Sequence, residues 1–479
     1  MTEGTTSTKS SDASSTQLEL PMSDAERSET GKSPSGCDIT ITETVIMDKV
    51  YSTRERYTIL SIVALSGMMS PINTTIMYPA LPSMARDFHT STNTINLTIA
   101  VFMFCIALFP LGWGTVSDLL GRRYVYLSSL TLYTIASLCL GFARDIPTLL
   151  LLRVLQAAGS SSVLSVGAGT IADVFKGPER GKAMGLFYLG PLFGPVLGPV
   201  LGGVIHDYVG GWPSIFWFLS ILGGIVVIAV WFWLPETMPR RQAHGDGSAE
   251  KKGALYMLSK CNPLQPVTYF KFPVTIVTTL YTSVVFATIY FINLSLEVAF
   301  EEKYHLSPFT IGLTYLGFGA GSIIGSTTGG RLADIFTARS PGCPQMRLKS
   351  SLIGAAVYPI GVFGYGISVY YKTNLAIPIL SHVLVGFGMT FSYTGIATYL
   401  VDIFPGHSAR VIAAQNLIRY GAGGLASIIV LPILDHTTYL VMFTILAAIN
   451  LLAASCILWT IIRGPVWQED VKQRLLDVN

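Results

Sequence analysis

An all-α membrane protein of about twelve spanning helices, arranged in two related six-helix halves, is the fold this sequence predicts. Of its 479 residues, 51% are hydrophobic and only 12% charged, with a mean hydropathy of +0.53. A water-soluble domain of this length does not carry that balance. Apolar runs long enough to cross a hydrocarbon core of roughly 30 Å as helices recur from Tyr57 to Ile462. A polar connector divides them into two equal sets.

In chain order, residues 1–56 are rich in Ser, Thr, Asp and Glu and poor in aromatics, so they are expected to form a disordered cytosolic tail. The first half, 57–234, holds runs at 57–80, 94–117, 123–142, 147–174, 183–205 and 213–234. A cytosolic connector over 235–271 carries Arg240, Arg241, Lys251, Lys252 and Lys260. The second half, 272–462, holds runs at 272–297, 309–333, 350–370, 375–402, 411–433 and 438–462, and residues 463–479 form a cytosolic tail. The first ten residues are polar, so no cleavable signal peptide is expected and the first run must serve as its own insertion signal.

The net charge of +3 matters less than its placement. With both termini inside, Arg122, Arg123, Lys176, Arg180, Lys182, the connector cluster, Arg339, Arg347, Lys349 and Arg410 fall on the inner side. The positive-inside rule is then met at every loop pair but the last. A multi-pass protein of the plasma membrane is expected, with the vacuolar or another internal membrane as the alternative. None of the six cysteines has metal-ligand spacing or reads as half of an extracellular disulfide.

The halves resemble each other. Gly114 and Asp118 at the end of the second run recur as Gly330 and Asp334 at the end of the eighth. Arg153, Gly159 and Asp173 of the fourth align without gaps on His382, Gly388 and Asp402 of the tenth, as internal repeats of a transporter should.

Three motifs stand out. Gly114, Asp118, Gly121, Arg122 and Arg123 join the second and third runs: glycine permits a tight turn, Asp118 can pair with a cation or a helix N-terminus, and the arginines hold the loop inside. A charged turn that only fixes topology is the plainer reading. Arg153 and Gln156 share a helical face, and an Arg within a membrane survives only against a cavity or a partner, unless it snorkels to the headgroups. Gly190-Pro191, Gly194-Pro195, Gly198-Pro199 and Gly202 repeat every fourth residue, a stripe for close helix contact in which proline frees backbone carbonyls.

In this order and at these spans, the three motifs resemble the major facilitator superfamily, and the Gly-Pro stripe resembles the antiporter motif of its twelve-span drug:proton antiporter family. The polar tail, the loop from Asp173 to Gly181 and the segment Asn416 to Arg419 are most similar to a fungal branch that holds quinidine-type multidrug exporters beside exporters of citrate and itaconate. Ala157 departs from the family's usual glycine in the fourth span. The resemblance implies alternating access about a central site, with proton exchange as the drive. No nucleotide-binding Gly-rich lysine motif is present to supply another.

In such a fold substrate binds near the midplane between the halves. The candidates for binding it are Asn73 and Asn293 in the first and seventh runs, Arg153 and Gln156 in the fourth, and Gln415, Asn416 and Arg419 in the eleventh, with Arg153 and His382 for coupling. The first run has no acid, and Glu297 is the acid within a later central run, close to its outer end. A cationic cavity of this kind matches a carboxylate, which Arg binds through two parallel hydrogen bonds, and His382 offers a titratable switch. The expected function is proton-coupled export of a small organic acid. Multidrug:proton antiport is the alternative, with Tyr281, Tyr290, Tyr393 and Tyr420 lining a greasy cavity. A membrane-embedded enzyme would need a nucleophile with a base or a metal cluster, and a nutrient sensor a long folded extension. Neither is present, no cofactor or nucleic acid is implied, and a functional monomer in the bilayer is expected. The glycosylation-type tripeptides at Asn73, Asn96 and Asn293 lie in or near spans and read as unused.

Overall fold

A computed structural model describes residues 51–175, 178–238, 264–339, 343–404 and 407–476. Most of the tail over 1–56 and of the connector over 235–271 lies outside the described residues. So does the whole of the first of two compact units, Met1–Val45. The architecture below is that of the second unit.

Twelve long helices follow one another among the described residues: α1 (Thr53–Thr75), α2 (Thr92–Leu120), α3 (Arg122–Leu140), α4 (Ile146–Val174), α5 (Pro178–Ile205), α6 (Trp212–Trp233), α7 (Pro273–Glu302), α8 (Pro308–Ala338), α9 (Met346–Tyr370), α10 (Ala376–Ile403), α11 (Ser408–His436) and α12 (Tyr439–Leu476). No strand occurs among these residues, because a chain in lipid must satisfy its backbone within each segment. Ten spans are both long and apolar enough to cross a membrane, and α3 and α5 fall outside that set. The reason is local: α3 opens on two arginines and carries five Ser or Thr and three Tyr, and α5 is diluted by glycine and proline. Packing makes both of them members of the bundle all the same, α3 against α4 and α6, α5 against α1 and α8.

Helix starts follow the capping rules. Ser52 and Glu55 form a capping box on α1. Ser91 accepts the Thr94 N–H at the head of α2, and Ser307 accepts that of Thr310 at the head of α8, both at 3.3 Å. Asp145 caps α4 through Thr148 N–H at 2.9 Å, and Asn374 accepts the Ala376 N–H at the start of α10 at 3.0 Å. At the other limit, α1 continues beyond its expected end through a 3₁₀ turn, Tyr78–Ala80, into a short helix, Leu81–Asp87. Helix α12 runs on past residue 462 to Leu476.

The packing repeats with the sequence. In the first half α1 packs on α5, and α4 on α2 and α3, with α6 outside α3; in the second, α7 packs on α11, and α10 on α8 and α9, with α12 outside α9. Gly159 of α4 lies against the backbone of Ser129 and Tyr133, and Gly388 of α10 against that of Gly354 and Tyr358. The halves join along two seams related by the same symmetry, α2 with α11 and α5 with α8.

Because the number of long helices is even, the start of α1 and the end of α12 share one end of the bundle, here the terminal end. The halves are closed together at the opposite, distal end. Arg86 pairs with Glu301 at 2.8 Å, and the Asp207 carboxylate accepts the Phe309 N–H at 2.9 Å, capping α8 from across the seam. Gly203 and Gly312 bring α5 and α8 into backbone contact there.

Candidate functional site

The sequence-predicted residues gather into two clusters at different depths. Arg153 lies on α4 seven residues from its distal start, about 10 Å in at a rise of 1.5 Å per residue. Its side chain is fully buried. One guanidinium nitrogen donates to Gln156 Oε1 at 2.7 Å and to Asn73 Oδ1 at 3.3 Å, and Gln156 in turn donates to Ser137 Oγ at 2.9 Å. The rings of Phe102 and Phe216 flank the cation at 5.1 and 5.3 Å. Arg153 Nε and Asn73 Nδ2 have no hydrogen-bond partner among the described residues. The three residues chosen from the sequence for this region therefore meet, but inside the first half.

His382 occupies the equivalent position in the second half. As Arg153 lies over Phe102, His382 packs on Phe318 at 5.2 Å and on Tyr315 at 5.5 Å, and both its ring nitrogens are buried without hydrogen-bond partners among the described residues. The Tyr315 hydroxyl donates to Glu297 Oε1 at 2.7 Å and contacts the Asn293 carbonyl oxygen at 3.1 Å, while the Asn293 side-chain oxygen is unpartnered.

Arg419 forms the second cluster, eleven residues into α11 from the terminal end, about 16 Å in. It is partly exposed, its Nε is buried without a hydrogen-bond partner, and no ion pair reaches it among the described residues. Three rings surround its guanidinium instead: Tyr393 at 4.8 Å, Phe286 at 4.9 Å and Tyr420 at 5.1 Å. It lines a small cavity with Tyr281, Thr282, Val285, Phe286, Met389 and Tyr393, with room for about one water molecule. Gln415, on the same face of α11, donates to Thr282 Oγ1 at 3.1 Å, and its own oxygen and that of Asn416 are buried and unpartnered. On this count Arg153 lies nearer the distal end and Arg419 nearer the terminal end.

At the terminal end, Gly121 joins α2 to α3 with φ +99°, a conformation glycine tolerates, and a Cβ there would strike the Glu236 carboxylate. Glu236, just beyond α6, accepts the first backbone N–H groups of α3, from Arg122 at 2.9 Å and Arg123 at 3.1 Å. The Arg122 side chain bonds Asp173 at 3.2 Å and Ser117 at 2.8 Å. Gly114 lies against Ser165 of α4, and the side chain of Asp118 is outside what is described. The sequence reading missed Glu236 and Tyr315. An acid directly after a span was a usable signal for the first, whereas one tyrosine among many gave none for the second.

The stripe on α5 is a packing device. Gly190, Gly194, Gly198 and Gly202 face the backbone of α1 from Ala64 to Ile76, and Thr75 Oγ1 reaches the Gly194 carbonyl at 3.4 Å. Pro199, between them, presents its carbonyl to Gly312 of α8. One helix thus holds α1 on one side and the seam on the other.

The family model of the Major Facilitator Superfamily matches residues 63–428 and again 279–475. The chain belongs to this superfamily. Among members with a curated description, Citrate exporter 1 of Aspergillus niger is 30% identical, with 89% of each chain covered. MFS antiporter QDR3 of Candida albicans is 27% identical over 88% of this chain and 79% of its own. Among solved structures, a bacterial homologue of the human lysosomal transporter Spinster, inward-facing and unoccupied, matches with a TM-score of 0.63 at 15% identity, covering 89% of this chain and 99% of the other. At that identity the likeness is one of fold. Family and fold together make the chain a multi-pass integral membrane transporter, with fungal relatives in both the organic-acid and the multidrug branches.

Proposed function

We propose that this major facilitator exports a small organic acid, a di- or tricarboxylate of the citrate or itaconate kind, in exchange for protons. Arg419 carries the reading: a guanidinium at the edge of a cavity, with no carboxylate to neutralise it among the described residues and neutral polar groups around it, is matched to an anion. Gln415, Asn416 and Asn293 orient the ligand through their amide N–H groups, which can donate to a carboxylate. Arg153, with Asn73 and Gln156, is the deeper cation that the anion meets after the halves rock. Placement of Lys and Arg supports a cytosolic terminal end, with Gly114, Asp118, Gly121, Arg122 and Arg123 at the gate there. Closure of the distal end is then the state that loads from the cytosol.

The aromatic walls given by Tyr281, Phe286, Tyr393 and Tyr420 favour a second reading, multidrug:proton antiport, in which Arg419 serves coupling. Uptake of radiolabelled citrate and itaconate against that of a cationic drug, into inside-out vesicles carrying the purified chain, with and without a proton gradient, decides between them. Gradient-dependent carboxylate uptake supports the export reading, and uptake of the drug alone replaces it.

A further inference from the structure

Glu297 is a carboxyl group for which the substrate site has no use. It sits on α7 one turn inside the distal closure and is buried to 1% exposure. One oxygen accepts the Tyr315 hydroxyl, and the other has no partner among the described residues. No cation pairs with it among the described residues: Arg86, at the distal closure, is taken by Glu301. An ionised carboxylate can accept several hydrogen bonds, and one buried in a membrane with a single donor and no counter-charge carries a cost that its protonated form avoids.

The groups around it come from both halves. Tyr315 belongs to α8, Tyr365 to α9 and, behind Tyr315, His382 to α10, with Glu301 on its own helix. From the first half, Tyr78 in the continuation of α1 packs on Tyr315 with ring centroids 6.2 Å apart and stands within electrostatic reach of Glu297, Tyr290 and Arg153. Parting the halves at the distal end would withdraw Tyr78 and the Arg86 to Glu301 bridge together. Water would then reach the free oxygen of Glu297.

From this seam geometry we infer that Glu297 is the proton-binding group of the exchange cycle, with Tyr315 and His382 as positioning residues. With the distal end open, an O–H bond forms on the free oxygen as a hydronium ion in distal water gives up its proton and becomes water. The neutral acid lets the seam close over it, and the same O–H bond breaks when the proton passes to water on the terminal side. This rests on the proton-exchange part of the function proposed above, not on the identity of the substrate.

The test has two arms, both on the full chain in liposomes. Spin labels at Arg144→Cys and Lys372→Cys, exposed on the distal loops of the two halves, report the distal opening in a background whose native cysteines are serine. In the otherwise native chain, raising the pH should enrich the longer distance about tenfold, and in Glu297→Gln the short distance should persist at every pH. Tyr315→Phe, which keeps the ring, should retain the transition at a displaced pH. An unchanged pH response in Glu297→Gln overturns the assignment; should that variant fail to fold, an unchanged midpoint in Tyr315→Phe does so. In the second arm, Glu297→Gln should lose about tenfold in proton-driven accumulation of radiolabelled citrate while equilibrium binding of citrate to the purified variant, which needs only the terminal opening, stays within about twofold. Loss of both, or of neither, also overturns it. If the native chain moves no citrate, the substrate reading fails and the spin-label arm still decides this one.

Discussion

Arg347 Nε bonds the Asp402 carboxylate at 2.6 Å, and the same guanidinium reaches Asp334 at 2.7 Å, so that α9 ties α8 to α10 at the terminal end. The equivalent link in the first half is that of Arg122 to Asp173. Asp402 is one-third exposed and Asp334 nearly three-quarters exposed, which ranks the two arms. Breaking the Asp402 arm with Asp402→Asn should cost roughly 0.5–1 kcal/mol and lower the melting temperature in detergent by a few degrees, whereas Asp334→Asn should stay within a few tenths of a kcal/mol. A double-mutant cycle with Arg347→Ala checks the ranking. Equal coupling for both arms would contradict it.

Gly121 is held by two independent constraints, a positive φ and the Glu236 carboxylate that caps α3. Gly121→Ala should therefore destabilise by about 1–3 kcal/mol. Glu236→Ala, which leaves two N–H groups at the helix start to water, should cost about 0.5–2 kcal/mol. Thermal unfolding of the purified variants measures both.

The stripe on α5 predicts a sharp contrast between glycines. At Gly194 an added Cβ would stand 2.6 Å from Pro71 Cβ and 2.9 Å from Ile72 N, with backbone that cannot yield. At Gly112 nothing lies within 4 Å. Gly194→Ala should push α1 from α5, lower the yield of folded protein and abolish transport, and Gly112→Ala should leave both near the native level. Size-exclusion profiles and vesicle uptake distinguish them.

The two arginines should fail in different ways. Arg419 is partly exposed and has no ion pair among the described residues, so Arg419→Ala should leave folding intact and abolish carboxylate uptake, and Arg419→Lys, which loses the planar fit between three rings, should retain at most about a tenth. Arg153→Ala would strand the buried oxygens of Asn73 and Gln156 and should lower stability by about 1–3 kcal/mol before transport is considered. Full uptake by a well-expressed Arg419→Ala protein would remove Arg419 from the substrate site.

The bundle and its repeat were legible because lipid enforces them: long apolar runs, glycine stripes and recurring Gly and Asp positions are one-dimensional signals. They extended to the match of Gly159 with Gly388 and of Asp173 with Asp402, each of which the structure sets against equivalent neighbours. Grouping within one segment was legible too, since Arg153 and Gln156 share a face by spacing alone. Which polar residues meet across segments was not. Spacing placed Arg153 and Arg419 in one set, and only depth along α4 and α11 separates them.

By itself, then, the sequence determined the solvent, the number of helices within the limits of α3 and α5, the two-fold repeat and the family, because each is written in local composition and period. Tertiary structure alone decided that Arg153 is enclosed by amides, that Arg419 stands among rings and that Glu297 bonds Tyr315, on which Tyr78 of the other half packs. Those relations depend on which faces of distant segments pack together, and no single segment carries that information.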